Sequence, residues 1–135
     1  MAEQQVSIKD FLRKREMATQ ELKFEGFASP FVITEVSNEE NEKLQKAATK
    51  THKNQYGQVV RQVDQDKYAD SLVVKSVVQP DLNAKELQEF YGTLADPLGT
   101  LKKMLSMGEL TKLVKAVNTL SLGDTLEEKV DEAKN

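Results

Sequence analysis

"PDLNAKELQEFYG" (80–92) opens on a proline, closes on a glycine and encloses a compact polar–apolar pattern. How it folds decides the second half of the chain. Pro80 ends the element before it, because the residue preceding a proline avoids the α region. Asn83 is placed to cap a helix, Glu86 falls at the capping-box position, and Leu82 and Leu87 have hydrophobic-staple spacing. Leu87, Phe90 and Tyr91 give that helix an apolar face, and Gly92 stands where a terminating glycine belongs.

The same punctuation continues downstream. In "DPLGTLKKML" (96–105), Asp96 caps and Pro97 takes the first helical position. Leu98, Leu101, Met104 and Leu105 follow at helical spacing. Ser106 and Glu109 form a second capping box, and Leu110, Leu113, Val114 and Val117 complete an i, i+3, i+4, i+7 pattern that Gly123 stops. The stretch after it, 124–135, predicts a weakly ordered tail.

Working upstream, "DQDKYADSLVVKSVVQ" (64–79) predicts a helix capped by Asp64 or Asp66 and running to the proline. Tyr68, Leu72, Val73, Val77 and Val78 cover a broad arc of it, which implies burial on most sides. Residues 49–63 read as a loose hairpin turning near Tyr56-Gly57, or as a mobile loop. Ser37 caps an exposed, charged helix, with Glu40 in the box position. Residues 21–36 predict two strands joined by a turn, with Phe31, Ile33 and Glu35 alternating against Val32, Thr34 and Val36. Ser7 and Asp10 then predict a short helix within residues 1–20, with Val6 and Phe11 at staple spacing.

The fold class that follows is α+β, with a small antiparallel sheet or hairpins in the N-terminal half and several short packed helices in the C-terminal half. With 135 residues, one domain is expected over 1–135. Its parts would be a helical arm (1–20), strands plus a charged helix (21–63), a helical part (64–123) and the tail (124–135).

Composition narrows the function. A net charge of -3 gives no general attraction to nucleic acid or anionic lipid. Without cysteine there is neither disulfide nor thiolate chemistry. No run approaches the roughly 18 apolar residues of a membrane span, and "MAEQQVSIKDFLRKRE" (1–16) does not resemble a secretory signal. A soluble cytosolic protein is expected.

Chemistry-bearing constellations are scarce. His52 is the sole histidine and lies in a polar stretch, so neither a metal centre nor a His-based catalyst is expected. The carboxylate pairs Glu39/Glu40, Asp64/Asp66 and Glu127/Glu128 fall at helix starts or on charged faces, where the helix dipole accounts for them. "DPLGTLKK" lacks the spacing of a phosphate loop. "LRKR" (12–15) and "TKTHKNQ" (49–55) are too short and too poor in aromatics for nucleic-acid binding. The Leu/Met positions between 98 and 117 admit two readings, core or a groove for a partner helix.

"VVQPDLNAKELQEFYG" (77–92) followed by "DPLGTLKKMLSMGELTKLVKAVNTLSLG" (96–123) resembles the XkdN-like tail assembly chaperones of long-tailed phages and defective prophages. "FVITEVSNEENEKLQKAATK" (31–50) is similar to that family's strand and charged helix, and "SIKDFL" (7–12) also fits. The resemblance implies a non-enzymatic protein without cofactor or metal. Its partners would be the tape measure protein and possibly the tail tube protein. It would be a monomer or weak homo-oligomer in the bacterial cytoplasm, absent from mature particles. A small structural tail or head–tail adaptor is the alternative. If a partner groove exists, Phe90, Tyr91, Met104, Met107, Leu110, Leu113, Val114 and Val117 are its expected lining.

Overall fold

The computed structural model describes residues 5–123. The expected tail at 124–135, with the Glu127/Glu128 pair, lies outside the described residues. Strand β1 (Thr19–Leu22) pairs antiparallel with β2 (Phe31–Thr34), and β2 pairs antiparallel with β5 (Val77–Gln79). A separate hairpin joins β3 (Thr49–Lys53) to β4 (Val59–Val63). The helices are α1 (Asn38–Ala47), α2 (Gln65–Ser76), α3 (Lys85–Tyr91), α4 (Pro97–Met104) and α5 (Met107–Leu122). The α+β expectation holds.

One hydrophobic cluster joins the three-stranded sheet to the helices, and the β3–β4 hairpin stands outside it. Central β2 supplies Phe31 and Ile33, and the helices supply Leu72, Val73, Leu101, Leu105, Leu113 and Val117. The predicted alternation is observed, since Phe31, Ile33 and Glu35 are buried. Each fully buried Leu, Ile or Phe contributes about 1.5–3 kcal/mol of transfer free energy. Polar ties seat the layers on one another. Val36 N donates to Ser121 Oγ at 3.1 Å, joining the end of β2 to the end of α5. Lys75 on α2 reaches Glu40 on α1 at 3.4 Å, and the Tyr68 hydroxyl donates to Asn41 Oδ1 between the same helices.

Several helix boundaries are set locally, as expected. Asp64 accepts from Lys67 N, Asp96 from Gly99 N with Pro97 at the first position, and Ser106 and Glu109 form a reciprocal box. The 49–63 hairpin forms, turned by Asn54, whose Oδ1 accepts from Tyr56 N and Gln58 N at 2.9 and 3.0 Å. No residue of β3 or β4 is buried.

Four expectations are corrected. The helical arm is a single 3-10 turn, Ile8–Phe11, followed by chain without regular structure up to β1. Its capping residues work, but Val6 and Phe11 are exposed, so no staple is buried. A helix this short needs a surface to pack on, and it has none here. The α2 helix stops at Ser76, and Val77–Gln79 is a strand. There Ser76 Oγ donates to Thr34 O at 2.6 Å, Val77 pairs with Ile33 and Gln79 with Val32 across a register shift, and Val77 is buried while Val78 is exposed. Asn83 is not the cap of α3. Asp81 Oδ1 takes the Asn83 N–H at 3.0 Å in an Asx turn, which pushes the helix start to Ala84. Finally, Ser37 accepts from Glu40 N at 3.2 Å, but the Glu40 carboxylate turns to Lys43 and Lys75.

Candidate partner-binding groove

The seven-residue α3 forms one shoulder of the molecule, and its placement rests on Gln88. That side chain is buried. Its Nε2 donates to Leu82 O at 2.8 Å, and its Oε1 accepts from Ala95 N at 2.9 Å. One amide thus staples the turn before α3 to the turn after it. Gly92 ends α3 in the left-handed region, φ 68°, which a glycine adopts without a Cβ penalty. Thr93 and Thr100 are linked hydroxyl to hydroxyl at 2.5 Å, and Thr100 Oγ1 lies 2.9 Å from Asp96 O, holding the entry to α4.

With α3 held so, its outer side borders two open hollows that share Pro80 and Leu87. One, of about 380 Å³, is completed by Asp81, Ala84, Glu86 and Phe90. The other, of about 260 Å³, is completed by Phe27–Phe31, Gln79, Tyr91 and Met104. Its floor is rigid, because Phe31 meets Phe24 and Phe27 edge-on with ring centroids 5.3 and 5.2 Å apart. Phe90 and Tyr91 pack edge-to-face at 4.9 Å, yet Phe90 is 80% exposed. The surface is a shallow apolar groove with carboxylates at one end. A larger cleft of about 680 Å³ lies between α2 and the start of α4, but Asp64, Asp66, Asp70 and Asp96 stand around it with Lys67 and Lys75.

The expected lining residues divide. Phe90, Tyr91 and Met104 are brought to the groove. Met107 is 84% exposed at the start of α5 and lines neither hollow. Leu110 and Val114 are half-buried against the core, while Leu113 and Val117 are wholly inside it. Phe27, Pro80 and Leu87 line the groove and were not among the expected site residues. Leu87 was legible as part of the α3 apolar face. Phe27 and Pro80 arrive only through the pairing of β2 with β5 and carried no sequence signal.

Electrostatics concentrate elsewhere. Glu35, buried at the end of β2, accepts from Arg15 Nη2 and from Ala18 N, both at 2.9 Å. The Arg15 hydrogen bond, then that of Ala18, holds its carboxyl below the usual carboxylate range against the opposing effect of burial. Asp64 is likewise lowered, first by the Lys67 N–H and then by Lys50. Among the described residues, no three His, Cys, Asp or Glu side chains gather as a metal site, and no buried side-chain polar atom lacks a partner. Also among them, no helix is long and apolar enough to cross a membrane.

Fold and groove together define a small α+β protein with an open apolar groove beside α3. Residues 4–134 match the family described as phage XkdN-like tail assembly chaperone protein, and the chain belongs to that family. It is 34% identical over 113 residues to the phage-like element PBSX protein XkdN of Bacillus subtilis (strain 168), covering 82% of this chain and 75% of that protein. It is also 34% identical over 114 residues to the uncharacterized protein YqbN of the same strain, with the same coverage. A crystal structure of the protein YqbN superposes with a TM-score of 0.64 at 20% identity, covering 87% of this chain and 97% of that one. That likeness carries the fold.

Proposed function

We propose that this protein is a non-enzymatic chaperone that binds the tape measure protein, and tail tube subunits, during tail morphogenesis. The observation that carries this reading is the open apolar groove beside α3, where Phe90, Tyr91, Met104 and Leu87 meet on a family background of tail assembly chaperones. A long helical client exposes apolar stripes before assembly, and those stripes self-associate unless covered. A shallow groove with an aromatic ridge covers a stripe at modest affinity, so an assembling tube can displace the chaperone. The work is then done in the host cytoplasm, and the mature particle does not retain the protein.

Co-expression with the long helical protein encoded beside this chain tests the proposal. The expected result is that the client becomes soluble and elutes with the chain, while purified particles lack it by mass spectrometry. An insoluble, unbound client together with the chain in mature particles would replace the proposal with a structural tail or adaptor role.

A further inference from the structure

Residues 5–18 hold the densest set of exposed large apolar side chains among the described residues: Val6, Ile8, Phe11, Leu12 and Met17. Ile8, Phe11 and Leu12 are 75%, 69% and 73% exposed. The segment is fastened at its far end, where Arg15 and Ala18 reach Glu35. Its near end forms its own cap. Ser7 Oγ accepts from Lys9 N and Asp10 Oδ2 accepts from Ser7 N, each at 3.2 Å.

Every local requirement of a helix from Ile8 to Arg15 is therefore met except one. The cap is made. Asp10 sits in the first turn and Arg13, Lys14 and Arg15 in the last, in the order the helix dipole favours. Ile8, Phe11, Leu12 and Arg15 fall at i, i+3, i+4 and i+7, so the apolar trio lies on the same face as the anchoring arginine. What is missing is an apolar surface, and only one 3-10 turn forms without it. Wound as a helix, the stripe is bordered by Lys9 on one side and Lys14 on the other, with Asp10 on the opposite face.

We infer that residues 7–15 are a docking arm that folds into a short α-helix on the client protein, against an apolar stripe flanked by carboxylates. The inference rests on the chaperone reading above and adds a second contact to it, remote from the α3 groove. The two surfaces lie at opposite ends of β2, the arm at Glu35 and the groove at Phe31. A second copy of the chain also offers an apolar groove near Asp81 and Glu86, but an arm seated there would fill the groove that the client needs. Coupled folding of a tethered arm keeps the contact reversible, because ordering the segment offsets part of the binding energy.

The test uses the full chain with the co-expressed tape measure protein. Hydrogen exchange at amides 8–15 is compared with and without that client, and capture is measured for a double variant, Phe11→Ser with Leu12→Ser, and for Lys9→Glu with Lys14→Glu. These side chains are exposed, so the thermal midpoint should stay at the wild-type value. The expected result is protection of 8–15 in the complex, with capture by each double variant about tenfold weaker. Equal capture by wild type and variants, with unprotected amides, overturns the arm and leaves the chaperone reading standing. Failure of the wild type to bind overturns both. Protection of 8–15 in the chain alone, rising with its concentration, makes a second copy the occupant and overturns the assignment to the client.

Discussion

Arg15 donates from Nη2 to Glu35 Oε2 across 2.9 Å, and the Glu35 side chain is only 8% exposed while that of Arg15 is 56% exposed. The pair joins the solvent-facing arm to the buried end of β2. A carboxylate so placed keeps its charge only because it is partnered.

Replacing Glu35 tests this link. Glu35→Gln keeps an acceptor for Ala18 N but gives up the charge, and Glu35→Ala gives up both. The thermal midpoint is expected to fall in both variants, further in Glu35→Ala. Amide exchange at residues 15–18 should quicken in the same order. An unchanged midpoint in Glu35→Ala would show that the latch adds nothing to stability.

Acid should reproduce the same loss. The Glu35 carboxyl lies below its ordinary 4.5 and the Asp64 carboxyl below its ordinary 3.8 in the folded chain. Below those values the unfolded chain binds protons that the folded chain does not yet hold. Their stabilisation is therefore complete above about pH 4.5 and is lost as pH falls through the depressed values. Denaturant midpoints followed downward from neutral pH should decline in that window, and less steeply in Glu35→Gln.

Gln88 should be the costly position in α3. Gln88→Leu removes the partner of the Leu82 carbonyl and of the Ala95 N–H. Two such groups left unmet near the interior cost about 2–6 kcal/mol in total. Urea unfolding measures it, and a loss under about 0.5 kcal/mol, the range of ordinary surface changes, would exclude the stapling role.

Phe90 and Leu113 should separate binding from stability. Phe90 is 80% exposed and Leu113 is fully buried. Phe90→Ala is expected to change stability by less than about 0.5 kcal/mol and to weaken client capture. Leu113→Ala is expected to cost about 2–5 kcal/mol, with any binding loss following from unfolding. Paired urea melts and pull-downs distinguish the two behaviours.

Ala95 occupies the left-handed region at φ 59°. Ala95→Gly removes the Cβ clash of that conformation but gives the unfolded chain more freedom. The balance should be a gain of about 0.5 kcal/mol, read as a higher urea midpoint at unchanged slope.

The helix starts at Asp96 and Ser106, the stop at Gly92 and the Phe31/Ile33/Glu35 alternation were legible because each depends on residues within one turn or one strand. At the start of α2 the sequence left Asp64 and Asp66 open, and the structure uses Asp64. The end of α2 was not. Val77 and Val78 satisfy a helical arc as well as a strand, and pairing with β2 decides for the strand. Of the expected groove, Phe90, Tyr91 and Met104 reach it. Leu113 and Val117 enter the core, because helical spacing marks an apolar face without saying what covers it. Gln88 was invisible, since glutamine is usually exposed.

By itself, the sequence determined the α+β class, most caps and stops and the β1–β2 pairing, all governed by short-range sterics and backbone hydrogen bonding, while it left 49–63 open between a hairpin and a loop. Only the tertiary structure decided that residues 77–79 join the sheet, that Gln88 and Glu35 are buried with partners, and that Ile8–Phe11 stays a single turn. Those outcomes depend on which surfaces meet. Burial free energy comes from contacts between residues far apart in the chain, and no local pattern records them.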